Sequence, residues 1–318
     1  MTVSSTLVGQ KPRVLILGAT GQIGSHLFRR LLEEGNIEVF GTSRLGSKGG
    51  IRAFDLNDEM AFIPLTNLGP HDTVVILAAM ANPNKVFDNP DGAWSVNVLG
   101  VQRVVRECIM AGARLIFFSS VEVFGGRDGP FNEFSKPDPL NIYGLTKFEI
   151  EKYIQTNFEQ GRFCIVRTPW NVSFRAEFRC LVKMTYGALL KKDAKMATDN
   201  LLSLIDVRDT VEGLCSLLSV NGDFPTPILH LSSPDTFSRA ELAERICLNS
   251  ALGSQMHFKP IQFAKLHFLE ARGRDSRMDG SLSSELFGIT YREGRATIDL
   301  KVLLIDAWIQ GGLEVAFD

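Results

Sequence analysis

The 318-residue sequence has no apolar run approaching the ~20 residues of a membrane span, and its start, MTVSSTLVGQKPR, lacks the apolar stretch of a signal peptide. A soluble, cytoplasmic protein with a short disordered leader over residues 1–11 is expected. An excess of charge is missing too, since 34 basic side chains face 36 acidic ones and leave a formal charge of -2. That balance gives no electrostatic footprint for a nucleic-acid backbone or an anionic membrane surface. The five cysteines (Cys108, Cys164, Cys180, Cys215 and Cys247) are odd in number and far apart, with no C-x-x-C pair and no disulfide-framework spacing. They read as reduced, mostly buried thiols. The five histidines are scattered, with no two at ligand spacing, which predicts no metal site. Repeats, low-complexity tracts and long linkers are absent as well.

What is present is a chain 45% hydrophobic and 22% charged, enough to bury a large core. RVLIL enters a glycine-rich turn, and from Gln22 to Glu34 apolar residues recur at helical spacing. Further short strands, IEVFGTSR, IRAFDL, TVVILAAM, ARLIFFSS and RFCIVRTP, alternate with helical stretches. The pattern predicts an α/β fold, a doubly wound parallel sheet of Rossmann type over residues 12–171. After Trp170 the rhythm loosens. AEFRCLVKMTYGALLKK and SRAELAERICLNS look helical, and TPILHLSS looks like a strand. Residues 172–318 are read mainly as a smaller mixed substrate-binding lobe, with some segments returning to the first domain. The cleft between lobes is the default ligand site.

VLILGATGQIG places Gly18, Gly21 and Gly24 at a strand-to-helix turn, where backbone can approach a pyrophosphate at a helix N-terminus. A glycine triplet alone is a weak signal, but here a buried strand precedes it and an amphipathic helix follows. Thr20, Gln22 and Ile23 share the turn. An acidic residue that would hold the NAD ribose is expected ~20 residues on. Thr42, Ser43 and Arg44 stand there instead, so Arg44, with Ser43, favours the 2′-phosphate of NADP(H), while NAD(H) stays possible. Asp55, followed by Leu56, reads equally as an adenine contact or as a turn cap. Ala78 and Ala79 end the strand of TVVILAAM and complete the candidate cofactor set.

NIYGLTKFEIEKYI sets Tyr143 and Lys147 four residues apart, on one face of a helix. A phenol titrating near ~10 is a poor acid-base catalyst at neutral pH, and a nearby ammonium would draw it toward the working range. LIFFSS ends a strand at Ser120, whose hydroxyl can meet a substrate oxygen.

GATGQIG, LAAMANP, WSVNVLG, SSVEVFGG, PLNIYGLTKFEIEKY and VRTPWN, in this order, resemble the extended short-chain dehydrogenase/reductase family over about the first 170 residues. SRMDGSLSSELFGI is similar to the C-terminal stretch of dTDP-4-dehydrorhamnose reductases and related nucleotide-sugar enzymes. The resemblance implies Tyr143 as proton donor or acceptor, Lys147 as its partner and a ligand of the cofactor ribose, and Ser120 as the holder of the carbonyl. It implies a nucleotide-activated sugar as substrate and a homodimer as the assembly. Met80, Asn82, Val121, Glu122, Trp170 and Asn171 fall where family members contact cofactor or sugar.

Reduction of a sugar ketone is one reading; an epimerase or dehydratase that returns its hydride is another. Glu122 keeps the second open, either as a base or as a solvent-facing residue, although Val121 replaces the first acid of the 4,6-dehydratase pair. A third reading is a non-catalytic regulatory protein. Arg277, with Arg175 and Arg179, is a candidate for a nucleotide diphosphate. Arg167, inside a strand, reads as a buried structural cation, and Asn97 as an amide bridging neighbouring backbone.

Overall fold

The computed structural model describes residues 11–61, 63–64, 67–191 and 193–311. Apart from residue 11, the expected leader lies outside the described residues. The first half runs β1 (Arg13–Leu17), α1 (Gly24–Glu34), β2 (Glu38–Ser43), β3 (Ile51–Ala53), β4 (Thr73–Ile76), α2 (Pro83–Asp88), α3 (Pro90–Trp94), α4 (Val101–Ala111), β5 (Arg114–Phe118), α5 (Ile142–Asn157) and β6 (Phe163–Arg167). The second half continues β7 (Trp170–Val172), α6 (Leu181–Leu189), β8 (Lys195–Ala197), β9 (Leu201–Asp206), α7 (Val207–Leu218), β10 (Ile228–His230) and β11 (Thr236–Phe237). It ends α8 (Arg239–Asn249), β12 (Lys259–Ile261), β13 (Asp275–Ser276), α9 (Ser281–Phe287) and α10 (Gly294–Ile309).

The large sheet is parallel throughout, in the order β10-β6-β5-β4-β1-β2-β3. Its central strands are buried on both faces, which is why they read as unbroken apolar runs rather than alternating ones. One face is covered by α4 and α5, through Val101, Val104, Val105, Ile150 and Ile154. The other is covered by α1 and α7, through Leu27, Leu31, Leu214 and Leu217. A second core joins β7, α6, α8 and α10 around Leu181, Val182, Leu242, Ile246 and Ile298. Strand order reverses at β1, with β2 on one side and β4 on the other, so the loops after β1 and β4 flank the crevice where such sheets bind ligands.

Three details differ from the sequence reading. The strand expected across IRAFDL is confined to β3, at the sheet edge, because Asp55 turns the chain two residues later. The helix expected across AEFRCLVKMTYGALLKK covers only α6; its first residues are irregular, with Arg175 paired to Glu177. WSVNVLG forms one turn of π-helix, Ser95–Gly100, that runs directly into α4. From the second half, β10 pairs with β6 and α7 packs on α1.

Candidate active site

At the glycine turn, Gly18 adopts φ of 93° at the end of β1, and a Cβ there would come within 2.8 Å of the Ala78 backbone nitrogen after β4. Only glycine lets the two strand ends close up in this conformation. The N-cap of α1, Ile23, supplies no side-chain hydrogen bond, and the first turn carries no acidic residue. The positive end of this helix is therefore left to an anion, and a dinucleotide pyrophosphate fits. Gln22 is committed elsewhere: its amide donates to the Asn171 carbonyl at 2.9 Å, joining the turn to β7. Thr20 is exposed on the same turn, and Ser43 and exposed Arg44 follow at the end of β2.

Across the reversal point, Asn97 fastens the loop after β4. Its Oδ1 accepts from the Met80 backbone N–H at 2.8 Å, and its Nδ2 donates to the Met80 carbonyl at 3.0 Å and to Thr146 Oγ1 at 3.3 Å. The bridging role read for Asn97 is what the geometry shows. Met80 packs against the small buried cluster of Tyr143, Val86 and Ala93.

Ser120, Tyr143 and Lys147 come together from the end of β5 and the first turns of α5. Ser120 caps the short turn Val121–Val123, its Oγ accepting from the Glu122 N–H at 3.2 Å. Asn141 caps α5, accepting from the Gly144 N–H at 2.8 Å. Tyr143 and Lys147 are both buried. Burial pushes the Tyr143 phenol up from its ordinary value, Glu122 adds to the rise, and a hydrogen bond with Ser120 opposes it. Burial also brings the Lys147 amine down to about 8, with Glu151 working against that fall. The expected depression of the phenol by Lys147 is corrected here. The amine donates to the Phe118 carbonyl at 2.7 Å and lies over the Phe117 ring, and desolvation decides the phenol's direction.

Glu122 is neither free nor facing open solvent. Its Oε2 accepts from Asn141 Nδ2 at 2.5 Å, and its Oε1 lies 3.7 Å from Arg272 Nη1. Arg272 also donates to Asn84 Oδ1 at 3.0 Å, and Asn141 donates to the Ala271 carbonyl at 3.1 Å. Glu270, 7% exposed, accepts from the Ile142 N–H at 3.3 Å while its second oxygen meets no partner. From the irregular segment before β13, Glu270 thus reaches the first turn of α5, and Arg272 reaches α2 and Glu122. Sequence reasoning missed both, because LEARGRDSR has no period to reveal which side chains turn inward. It also missed Ser119 and Glu151, although Glu151 stands four residues after Lys147, the spacing already used for Tyr143 and Lys147.

Other candidates are occupied within the chain. Asp55 Oδ1 accepts from the Asn57 N–H at 2.9 Å, the turn-capping role, and Leu56 is buried in the core with its carbonyl taken by Arg103. Asn82 caps α2 by accepting from the Asn84 N–H at 3.2 Å. Val121 is buried among Phe124, Phe131 and Met278, so its side chain does not face a ligand. Trp170 is half-buried against the second core, and Asn171 Oδ1 accepts from Thr210 Oγ1 at 2.6 Å. Arg277 forks onto Asp275 at 3.0 and 2.7 Å and onto the Gly129 carbonyl at 2.6 Å, which leaves its guanidinium holding the loop rather than open to a diphosphate. Arg179 donates to Met184 Sδ. Among the described residues, no group of three or more His, Cys, Asp or Glu is placed to hold a metal ion, and no helix is long and apolar enough to cross a membrane.

Against known proteins, the chain matches relatives of two kinds. It is 33% identical over 158 residues to methionine adenosyltransferase 2 subunit beta of Xenopus tropicalis, covering 49% of this chain and 46% of that one. It is 30% identical over 169 residues to dTDP-4-dehydrorhamnose reductase of Mycobacterium tuberculosis, 52% of either chain. The chain thus spans about half the length of the curated relatives it matches. Among solved structures, a dTDP-4-dehydrorhamnose reductase from Clostridium acetobutylicum superposes with a TM-score of 0.74 at 20% identity, over 92% of this chain and 99% of that one. MoeE5 in complex with UDP-glucuronic acid and NAD gives 0.73 at 25% identity, over 92% and 98%. The profile of the RmlD substrate binding domain matches residues 12–303, nearly the whole described chain, and the protein belongs to that family.

Proposed function

We propose that the protein is an NAD(P)-dependent reductase of a keto group on a nucleotide-activated sugar. The observation that carries this reading is the Ser120–Tyr143–Lys147 trio, its Tyr143 and Lys147 buried and its Ser120 half-buried, beside a glycine turn with an uncapped helix N-terminus. Gly18, Thr20, Gly21, Ile23 and Gly24 would hold the pyrophosphate, with Ser43 and Arg44 at the adenosine ribose, where Arg44 favours NADP(H). Bound cofactor would supply the hydride. Tyr143, kept protonated by its dry surroundings, is poised to donate to the nascent alkoxide, while the Ser120 hydroxyl steadies the same oxygen. The lobe built around β7, α6, α8 and α10 is proposed to hold the sugar nucleotide.

A dehydratase with internal redox cycling needs a base free to take the proton beside the keto carbon, whereas a 4-epimerase needs only Tyr143 to take and return the hydroxyl proton. Glu122 is held by Asn141 and Arg272, which favours the reductase over the dehydratase. A regulatory role is the second reading, supported by the likeness to the methionine adenosyltransferase subunit. The deciding experiment titrates the protein with NADPH and NADH, then adds a panel of 4-keto-deoxy sugar nucleotides and follows reduced-cofactor absorbance. Stoichiometric oxidation supports the reductase. Tight binding without oxidation supports internal redox or the regulatory reading.

A further inference from the structure

Behind the Ser120–Tyr143–Lys147 trio lies a fully buried polar unit that no candidate role has used. Ser119 Oγ donates to Glu151 Oε1 at 2.5 Å, Arg167 Nε donates to the same oxygen at 3.0 Å, and Arg167 Nη2 donates to Oε2 at 2.6 Å. All three side chains are at most 2% exposed. They come from three elements, the end of β5, the third turn of α5 and the end of β6. The two residues before Ser120 are consequently tied to α5 in succession, Phe118 through its carbonyl to Lys147 Nζ and Ser119 through its hydroxyl to Glu151. Each tie fixes the strand end that carries Ser120 against the helix that carries Tyr143 and Lys147.

We propose that Ser119, Glu151 and Arg167 form a positioning unit that holds Ser120 and Lys147 in register and supplies the negative field that keeps the Lys147 amine charged. A buried Glu–Arg pair is weak evidence of stabilisation, because desolvation offsets most of the attraction. Its value here is geometric: the carboxylate is saturated by donors on both neighbouring strands, so α5 cannot slide along β5 without breaking a charged hydrogen bond. The electrostatic part follows from the surroundings of Lys147. On α5 it has Glu151 one turn on and Tyr143 one turn back; from β5 it meets only the Phe117 ring and the Phe118 carbonyl. Arg167 from β6 stands on the far side of Glu151, with neutral His230 of β10 behind it, and Glu122 lies nearer Tyr143. Glu151 is the one charge acting to raise Lys147.

The test needs neither substrate nor cofactor, so it stands apart from the proposed reaction, on which the roles of Ser120 and Lys147 rest. The Lys147 amine is titrated by NMR in lysine-labelled full-length protein, its resonance identified by its loss in Lys147→Arg. In Glu151→Gln the midpoint moves down from about 8 by roughly one unit or more, and Glu151→Asp returns it toward the native position. A merely structural carboxylate would change stability and leave the midpoint in place, and that result in folded Glu151→Gln overturns the proposal. Should Glu151→Gln fail to fold because it strands Arg167, the pair Glu151→Gln with Arg167→Met leaves no unpaired charge. Its midpoint must also fall, and an unchanged one is equally fatal.

Discussion

Tyr143 keeps its proton because burial, more than any neighbour, decides its charge. A phenol in this state is better suited to donating than to abstracting, which is the direction a reduction requires. Removing the hydroxyl in Tyr143→Phe should lower turnover on the order of 10²-fold or more and leave cofactor affinity nearly intact. Steady-state kinetics beside a fluorescence titration with NADPH checks both halves, and near-normal turnover would end the assignment. Arg44 poses the complementary question at the other end of the proposed cofactor site. Its guanidinium lies exposed just past β2, where Arg44→Asp would set a like charge against a 2′-phosphate. Affinity for NADPH should drop while that for NADH holds; an unmoved preference would show that this strand end does not read the phosphate.

Between β5 and α5 the contact is close enough to depend on a single missing methyl. A Cβ built on Gly144 would collide with the Glu122 carbonyl, so the first turn of α5 sits directly on the turn that follows Ser120. Gly144→Ala should cost about 1–3 kcal/mol, the usual range for overpacking, and should separate Tyr143 from Ser120. Urea denaturation and turnover on the same samples test it, and a variant equal to native in both would show that the two elements adjust freely. The alternation of strands and helices, the glycine turn and the Tyr143–Lys147 spacing were legible in the sequence because each is a local pattern with a fixed period. The inward side chains of Glu270 and Arg272 were not, since their places depend on an irregular segment folding back across 130 residues to Asn141. For Arg277 the sequence showed a cation but not its partner: Asp275, two residues earlier, already takes the fork. Glu122 was readable as a carboxylate near the site, and only the fold revealed Asn141 and Arg272 as its holders.

At the scale of the whole molecule, β10 binds the later half of the chain into the first sheet, and His230 is its most acid-sensitive point. The ring is fully buried, with Nδ1 3.2 Å from the Phe131 carbonyl and Nε2 3.4 Å from Arg167 Nη1. The neutral tautomer with its proton on Nδ1 satisfies both contacts, whereas a second proton would face the guanidinium. Burial first, and Arg167 second, lower its pKa from 6.5 to about 3. The unfolded chain therefore binds a proton below about 6.5 that the folded chain refuses, and stability contributed by the neutral ring is lost as pH falls from there toward 3. The slope from this one residue approaches about 1.4 kcal/mol per pH unit inside that window. Glu133, whose carboxyl is raised by burial and which accepts from the His230 N–H at 2.8 Å, pulls in the opposite direction. The informative quantity is thus the difference between native protein and His230→Gln, measured by chemical denaturation in the same buffers at pH 7.5, 6 and 5. The variant should start less stable and lose less on acidification, so the two curves converge; parallel curves would place the acid sensitivity elsewhere and leave β10 as a passive edge strand.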